Sequence, residues 1–172
     1  MTAQGYTRYW PRPVSSVPAA TNVTIRLATV DDMHGLTMLF DEYRVFYGLA
    51  SDPRGAGEFL AARLSAGESV VLLGVGDPHE GIVGFTQLFR GFSSLSLGTV
   101  IILNDLFVVP SARRRGVGGR LVDAAVEYAK QCGALRLDLE AHPDNAPAMR
   151  LYHAKGFVWN IEFAHMSRSV GP

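Results

Sequence analysis

Cysteine is nearly missing from this 172-residue chain, and its one thiol, Cys132, rules out an internal disulfide framework. Set in a helical apolar pattern, Cys132 reads as a small buried hydrophobe, and a reducing cytoplasm is the expected compartment. A surplus of charge is missing as well. Sixteen basic residues offset sixteen acidic ones, so nothing in the balance recruits nucleic acid or an anionic membrane, and any electrostatic function has to be local. No run reaches the roughly 18 apolar residues that span a bilayer. The opening MTAQGYTRYWPRPVSSVPAAT also lacks the apolar core of a secretory signal, so a soluble protein is expected. No set of His and Cys residues has metal-ligand spacing, which points away from a metal.

What is present is enough apolar material, 48% of residues, for one ordinary core. Pro11, Pro13 and Pro18, with Ser15 and Ser16, set residues 1–22 apart as an arm, leaving 23–169 as the domain. Residues 23–27 (VTIRL) read as a strand. Thr29 and Asp32 then form a capping-box pattern before a helix with Met33, Leu36, Phe40, Tyr43 and Tyr47 on one stripe. Asp52 and Pro53 open a second helix whose inward residues are Phe59, Leu60 and Leu64, and Gly67 closes it. Residues 69–75 and 81–90 are linked too tightly for a crossover and predict an antiparallel hairpin. The nearly unbroken apolar run at 100–109 predicts a central strand covered on both faces, interrupted by Asn104 and Asp105.

An amphipathic helix is expected over 117–132, followed by a strand at 135–141, a helix at 144–155 and a last strand pair within 157–169. The order is strand, two helices, three strands, helix, strand, helix, strands: an α/β (α+β) fold without internal repeats.

The segment 104–120, NDLFVVPSARRRGVGGR, carries the most chemistry. A strand ends at Pro110, a basic glycine turn follows, and a helix starts at once. Glycines let N–H groups approach an anion closely, and the helix N-terminus adds about half a positive charge, which suits a diphosphate. Arg113, Arg114, Arg115 and Arg120 add cations. No Gly-Lys-Ser/Thr follows, which removes the P-loop reading. The absence of GxGxxG in an antiparallel-rich chain removes the dinucleotide fold.

Arg113, Arg114, Arg115, Gly116, Val117 and Gly118 together resemble the pyrophosphate signature of the GCN5-related N-acetyltransferases: Gln or Arg, two residues, Gly, one residue, Gly or Ala. Downstream, Asn145, Ala148, Leu151, Tyr152, Gly156 and Phe157 look like the family's second signature. The resemblance spans 23–169, and residues 101–117 are also similar to the diamine and polyamine acetyltransferase branch. It implies a mixed, twisted sheet with flanking helices. Two parallel strands, 100–109 and 135–141, would splay apart there to admit acetyl-CoA, with no metal.

By this resemblance, backbone groups of Phe107, Val108 and Val109 pair with the pantetheine arm. Residues Arg114, Arg115, Gly116, Val117, Gly118 and Gly119 wrap the pyrophosphate, and Asn145 contacts the cofactor. Tyr152 is the acid that protonates the departing thiolate.

An alkylamine with a pKa of about 10.4 is neutral in only about one molecule per thousand at pH 7, so such an enzyme must also deprotonate its acceptor. Polyamine acetyltransferases carry a glutamate at the position matching Asn104, and an amide does not replace it. Plain alternation sends Asp105 to the other face unless a bulge re-aims it. Asp105 and Glu140 are the candidate bases, and His142 a lone loop histidine. Tyr43, Tyr47 and Asp52, with Asn104, are candidate walls of the acceptor pocket. The implied activity is acetyl transfer to a primary amine, and the branch resemblance points to a small diamine or polyamine. Protein lysine or N-terminal acetylation and a non-catalytic acyl-CoA sensor are the alternatives, and a homodimer is expected by family habit.

Overall fold

The computed structural model describes residues 22–160 and 165–170, so all but the last residue of the expected arm lies outside the described residues. The chain folds as two compact units, Met1–Glu140 and Ala141–Pro172.

In the first unit, β1 (Thr24–Leu27) runs through a 3-10 turn at Val30–Asp32 into α1 (Met33–Phe46). The capping pattern is realised: Asp32 Oδ2 accepts from the Thr29 N–H at 2.8 Å and from its hydroxyl at 2.9 Å. α2 (Pro53–Ser65) starts where Asp52 accepts the Gly55 N–H at 2.9 Å and Pro53 supplies a preset φ. Its inward residues are Ala56, Leu60 and Leu64. Phe59, expected among them, sits at the rim with its ring stacked on Phe40 and the Arg63 guanidinium over it.

β2 (Ser69–Val75), β3 (Ile82–Ser93) and β4 (Gly98–Val108) form an antiparallel meander behind β1. The chain then crosses through α3 (Val117–Gln131) to β5 (Leu137–Leu139), which pairs parallel with β4. The sheet order is β1-β2-β3-β4-β5. One face packs on α1 and α2, where Leu36, Phe40, Leu60, Val71, Leu73, Phe85 and Phe107 share a cluster. The other packs on α3, whose buried stripe runs through Val117, Leu121, Ala125, Tyr128 and Ala129 while Asp123, Glu127 and Lys130 stay exposed. Gly84 permits that close approach: a Cβ there would stand 2.8 Å from the Phe107 carbonyl oxygen and 3.4 Å from Leu121.

The strand expected at 135–141 is shorter than its alternation suggested. Its backbone meets β4 from Leu135, whose N–H donates to the Thr99 carbonyl at 2.8 Å, and the register pairs Ile101–Leu137, Ile102–Asp138 and Leu103–Leu139 end it. It stops where β4 bulges, because a bulge disrupts the regular spacing a ladder needs.

The second unit contains α4 (Ala146–Ala154), opened by Asn145 and followed by Gly156 at φ +84°. The strand pair expected within 157–169 is not found among the described residues: 157–160 and 165–169 form no ladder. Val158, Trp159 and Met166 are all exposed, so their apolar side chains have no covered face to anchor an alternating strand.

Candidate active site

β4 carries the decisive irregularity. Gln87 of β3 faces Asp105, and Leu88 faces Leu103, so Asn104 is an extra residue with no partner across the ladder. Each residue beyond Asn104 therefore points to the opposite face from the one simple alternation assigns. Leu103 faces α3, whereas Asp105 and Phe107 face α1. The bulge thus re-aims Asp105, which is only 7% exposed.

Two side chains orient that carboxyl. The Tyr43 hydroxyl donates to Oδ1 at 2.7 Å and the Asn104 amide donates to Oδ2 at 3.0 Å. Each oxygen has one more lone pair available. Around it stands an aromatic wall: Tyr43 meets Phe85, Phe107 and Tyr47 at ring separations of 5.8, 6.1 and 5.1 Å, and Phe46 meets Tyr47 and Phe107 at 5.3 and 6.0 Å. Asp52, a proposed wall residue, is engaged otherwise. Its side chain caps α2, and its N–H donates at 2.8 Å to Asp41, which also takes the Ser51 hydroxyl.

Beyond the bulge, the Val109 N–H donates to the Val83 carbonyl at 3.0 Å. Alternation turns Phe107 the same way, toward β3, so of the three residues assigned to the pantetheine arm only Val108 presents its backbone groups to the open edge. Leu106, which sequence reasoning missed, presents its own beside it. β4 runs five residues past its last register partner in β5, at Leu103, and among the described residues no strand pairs with that part of its edge.

The turn follows through a 3-10 segment at Pro110–Ala112. Arg114 at φ +62° and Gly116 at φ +78° bend the chain into α3, which has no side-chain cap. The first intrahelical bond is Arg120 N–H to Gly116 C=O, leaving the N–H groups of Val117, Gly118 and Gly119 directed out of the first turn. A Cβ on Gly116 would meet nothing within 4 Å.

The four arginines are less available than their number suggested. Arg115 holds Glu80 through two bonds of 2.6 and 3.0 Å, which raises the guanidinium pKa further and draws the Glu80 carboxyl below its usual range. Arg120 donates to the Val23 carbonyl. Arg113 donates to the Val108 carbonyl at 3.0 Å and lies over two aromatic rings. Arg114, like Arg113, is exposed, and among the described residues no hydrogen bond of its side chain joins it to the sheet. A cleft of about 440 Å³ at the end of β4 is lined by Glu42, Glu80, Ile82, Val83, Val109, Pro110 and Ser111. Its two carboxylates make it a poor place for a phosphate.

In the second unit, Asn145 Oδ1 accepts the Ala148 N–H at 3.3 Å as the α4 cap. Tyr152 is buried, its ring edge-on to Phe157 at 5.8 Å. Glu140 and His142 are exposed, and His142 is 3.7 Å from Asp144. No group of three or more metal-ligating side chains occurs among the described residues, and none of their helices is long and apolar enough to cross a membrane.

The family model described as acetyltransferase (GNAT) family matches residues 36–157. The chain belongs to the GNAT acetyltransferases. It is 45% identical over 148 residues to the uncharacterized N-acetyltransferase YhfO of Bacillus subtilis strain 168, covering 86% of this chain and 98% of that one. A crystal structure of a probable acetyltransferase superposes with a TM-score of 0.81 at 37% identity, over 86% of this chain and 98% of the other. The chain is also 34% identical over 103 residues to an aminoglycoside N(6')-acetyltransferase type 1 of Klebsiella aerogenes, covering 59% of this chain and 66% of that relative.

Within this GNAT chain, sequence reading named Asp105 and Tyr43 separately, and the fold joins them. It missed the role of Asn104, which positions the neighbouring carboxyl. It also missed the aromatic side of Arg113, for which the only sequence signal was Phe46 and Phe107 on two different elements.

Proposed function

We propose that this acetyltransferase moves an acetyl group from acetyl-CoA to a primary amine carried by a small cationic molecule, with Asp105 as the group that anchors and deprotonates the amine. The observation that carries the reading is the bulge at Asn104, which turns a buried carboxyl onto the aromatic wall. The residues present fit the acyl donor: Leu106 and Val108 offer strand-like donors and acceptors, and the first turn of α3 offers three outward N–H groups for a diphosphate.

Bound acetyl-CoA supplies a thioester whose carbonyl carbon accepts the amine. Asp105 attracts the ammonium ion and takes its proton, helped by the Tyr43 and Asn104 donors that fix the carboxyl's orientation. Tyr43, Tyr47 and Phe46 give the acceptor an aromatic wall. An N–H of the open β4 edge would supply the donor for the carbonyl oxygen as charge develops there. Tyr152 would give its phenolic proton to the departing sulfur and be restored by the second proton that the attacking nitrogen loses, an assignment supported by its place in the second signature.

A small diamine or polyamine, or an amino sugar, suits one carboxylate set in aromatic surroundings. The relative named as an aminoglycoside acetyltransferase supports acceptors of that polycationic kind. The test is release of CoA thiol across a panel of diamines, polyamines, aminoglycosides and lysine peptides. Turnover with the small cations is expected; turnover with the peptides alone would replace this reading.

A further inference from the structure

Arg113 opens the phosphate signature, yet its side chain turns away from the outward N–H groups of α3. Nε donates to the Val108 carbonyl at 3.0 Å, and the guanidinium carbon stands 5.2 Å from the Phe46 ring centre and 5.7 Å from that of Phe107. One side chain thereby occupies two places of different chemistry. The first is the hydrogen-bonding slot at Val108 on the unpaired edge of β4. The second is a space against two aromatic rings, on the same sheet face as Asp105 and two residues along the strand from it.

Two rings of separate elements facing one cation make a binding geometry in their own right. Phe46 is 54% exposed at the end of α1, so its ring can be reached from solvent. Asp105 adds a negative field, the Tyr43 hydroxyl bound to it is a neutral donor, and the turn's other charged pair, Arg115 with Glu80, is internally balanced. We infer that Phe46 and Phe107 form a subsite for an ammonium or guanidinium group of the acceptor, that Arg113 fills it while the β4 edge is free, and that a ligand pairing with the Val108 carbonyl expels Arg113 and opens it.

The exchange needs little rearrangement. Arg113 is exposed, and its backbone is held separately by its N–H bond to Pro110 at 3.3 Å, so side-chain rotation alone vacates both places. A contact between an exposed cation and a ring is weak enough to be displaced. The guanidinium so released lies in the turn that carries the α3 N-terminus, where a diphosphate would receive it.

The inference rests on the acyl-CoA reading of the site, and the experiment separates the two. The full chain, labelled with 15N-arginine, is titrated with CoA, following the Arg113 Nε–H resonance assigned by its loss in Arg113→Lys. Tetramethylammonium, a cation that cannot be acetylated, is then titrated with and without CoA. The expected results are a CoA-induced shift or loss of the Arg113 signal and at least tenfold tighter tetramethylammonium binding in the presence of CoA. Arg113→Ala should bind tetramethylammonium equally well with or without CoA, and Phe46→Ala should lose it while keeping CoA. CoA binding with an unmoved Arg113 signal, or cation binding indifferent to CoA in the unmodified chain, would overturn this inference alone. Failure to bind CoA would overturn it together with the acyl-donor reading.

Discussion

The Tyr43 hydroxyl, from α1, donates to Asp105 of β4 at 2.7 Å across 62 positions of sequence. This bond ties the helical wall to the bulged strand and fixes the buried carboxyl. Tyr43→Phe removes a donor to a charged acceptor and leaves the ring in place, so it is expected to cost about 2 kcal/mol of stability. It should also lower kcat/KM by about tenfold, one lost hydrogen bond at the reacting group being worth roughly 1.4 kcal/mol at that ratio. Urea unfolding and steady-state kinetics check the two effects; a variant with unchanged kinetics would make Tyr43 purely structural.

Two glycines separate backbone conformation from space. Gly116 has φ +78° and open surroundings, so Gly116→Ala meets only the left-handed backbone penalty, about 1 kcal/mol. Because that conformation aims the first turn of α3, weaker CoA binding should accompany the small stability loss. Gly84→Ala has ordinary room in φ but drives a methyl to 2.8 Å from the Phe107 carbonyl oxygen. It is expected to destabilise more, by about 2 kcal/mol, through displacement of β4. Thermal melts and CoA titration of both variants give the comparison.

Asp32 supplies a pH signature. The Arg26 guanidinium, bonded at 2.6 and 2.7 Å, is the largest influence on its carboxyl; burial opposes it, the two Thr29 bonds assist, and the pKa is lowered to about 2. A carboxyl with a folded pKa below its unfolded value stabilises the fold above about pH 4, and loses that contribution as pH falls toward 2. Stability measured by urea unfolding should therefore decline across that interval, and Asp32→Asn should flatten the decline.

Cys132 should be a poor nucleophile. Burial, the largest influence, pushes its thiol pKa up, outweighing the hydrogen bond with Tyr128 and the field of Arg90. Alkylation by iodoacetamide at pH 7 is expected to be slower than for a free thiol and to accelerate above pH 9, and Cys132→Ser should keep its acetyltransferase activity.

Much of this fold was legible because its signals are local. Thr29 with Asp32, Asp52 with Pro53, and the stripe from Val117 to Ala129 each announce an element through residues close in sequence. The bulge was not legible, because Asn104 is extra only relative to the β3 residues Gln87 and Leu88, and alternation within one strand carries no record of its partner. The same reason hid which backbone groups of 106–109 face outward. Arg113 was read by its charge in a glycine turn, whereas its position depends on Phe46, brought near by the packing of α1 on the sheet. Length was misjudged at β5, where Leu135 and Ala141 continue the apolar pattern although the pairing ends at Leu139.

The central claim is that the carboxyl re-aimed by the bulge receives the amine. Its most direct test is kcat/KM of Asp105→Asn against the unmodified chain, with the best acceptor from the panel and the CoA dissociation constant measured alongside. The amide keeps the shape but takes no proton, so kcat/KM is predicted to fall by about 10²-fold or more with CoA binding unchanged. Equal turnover by Asp105→Asn would contradict the account.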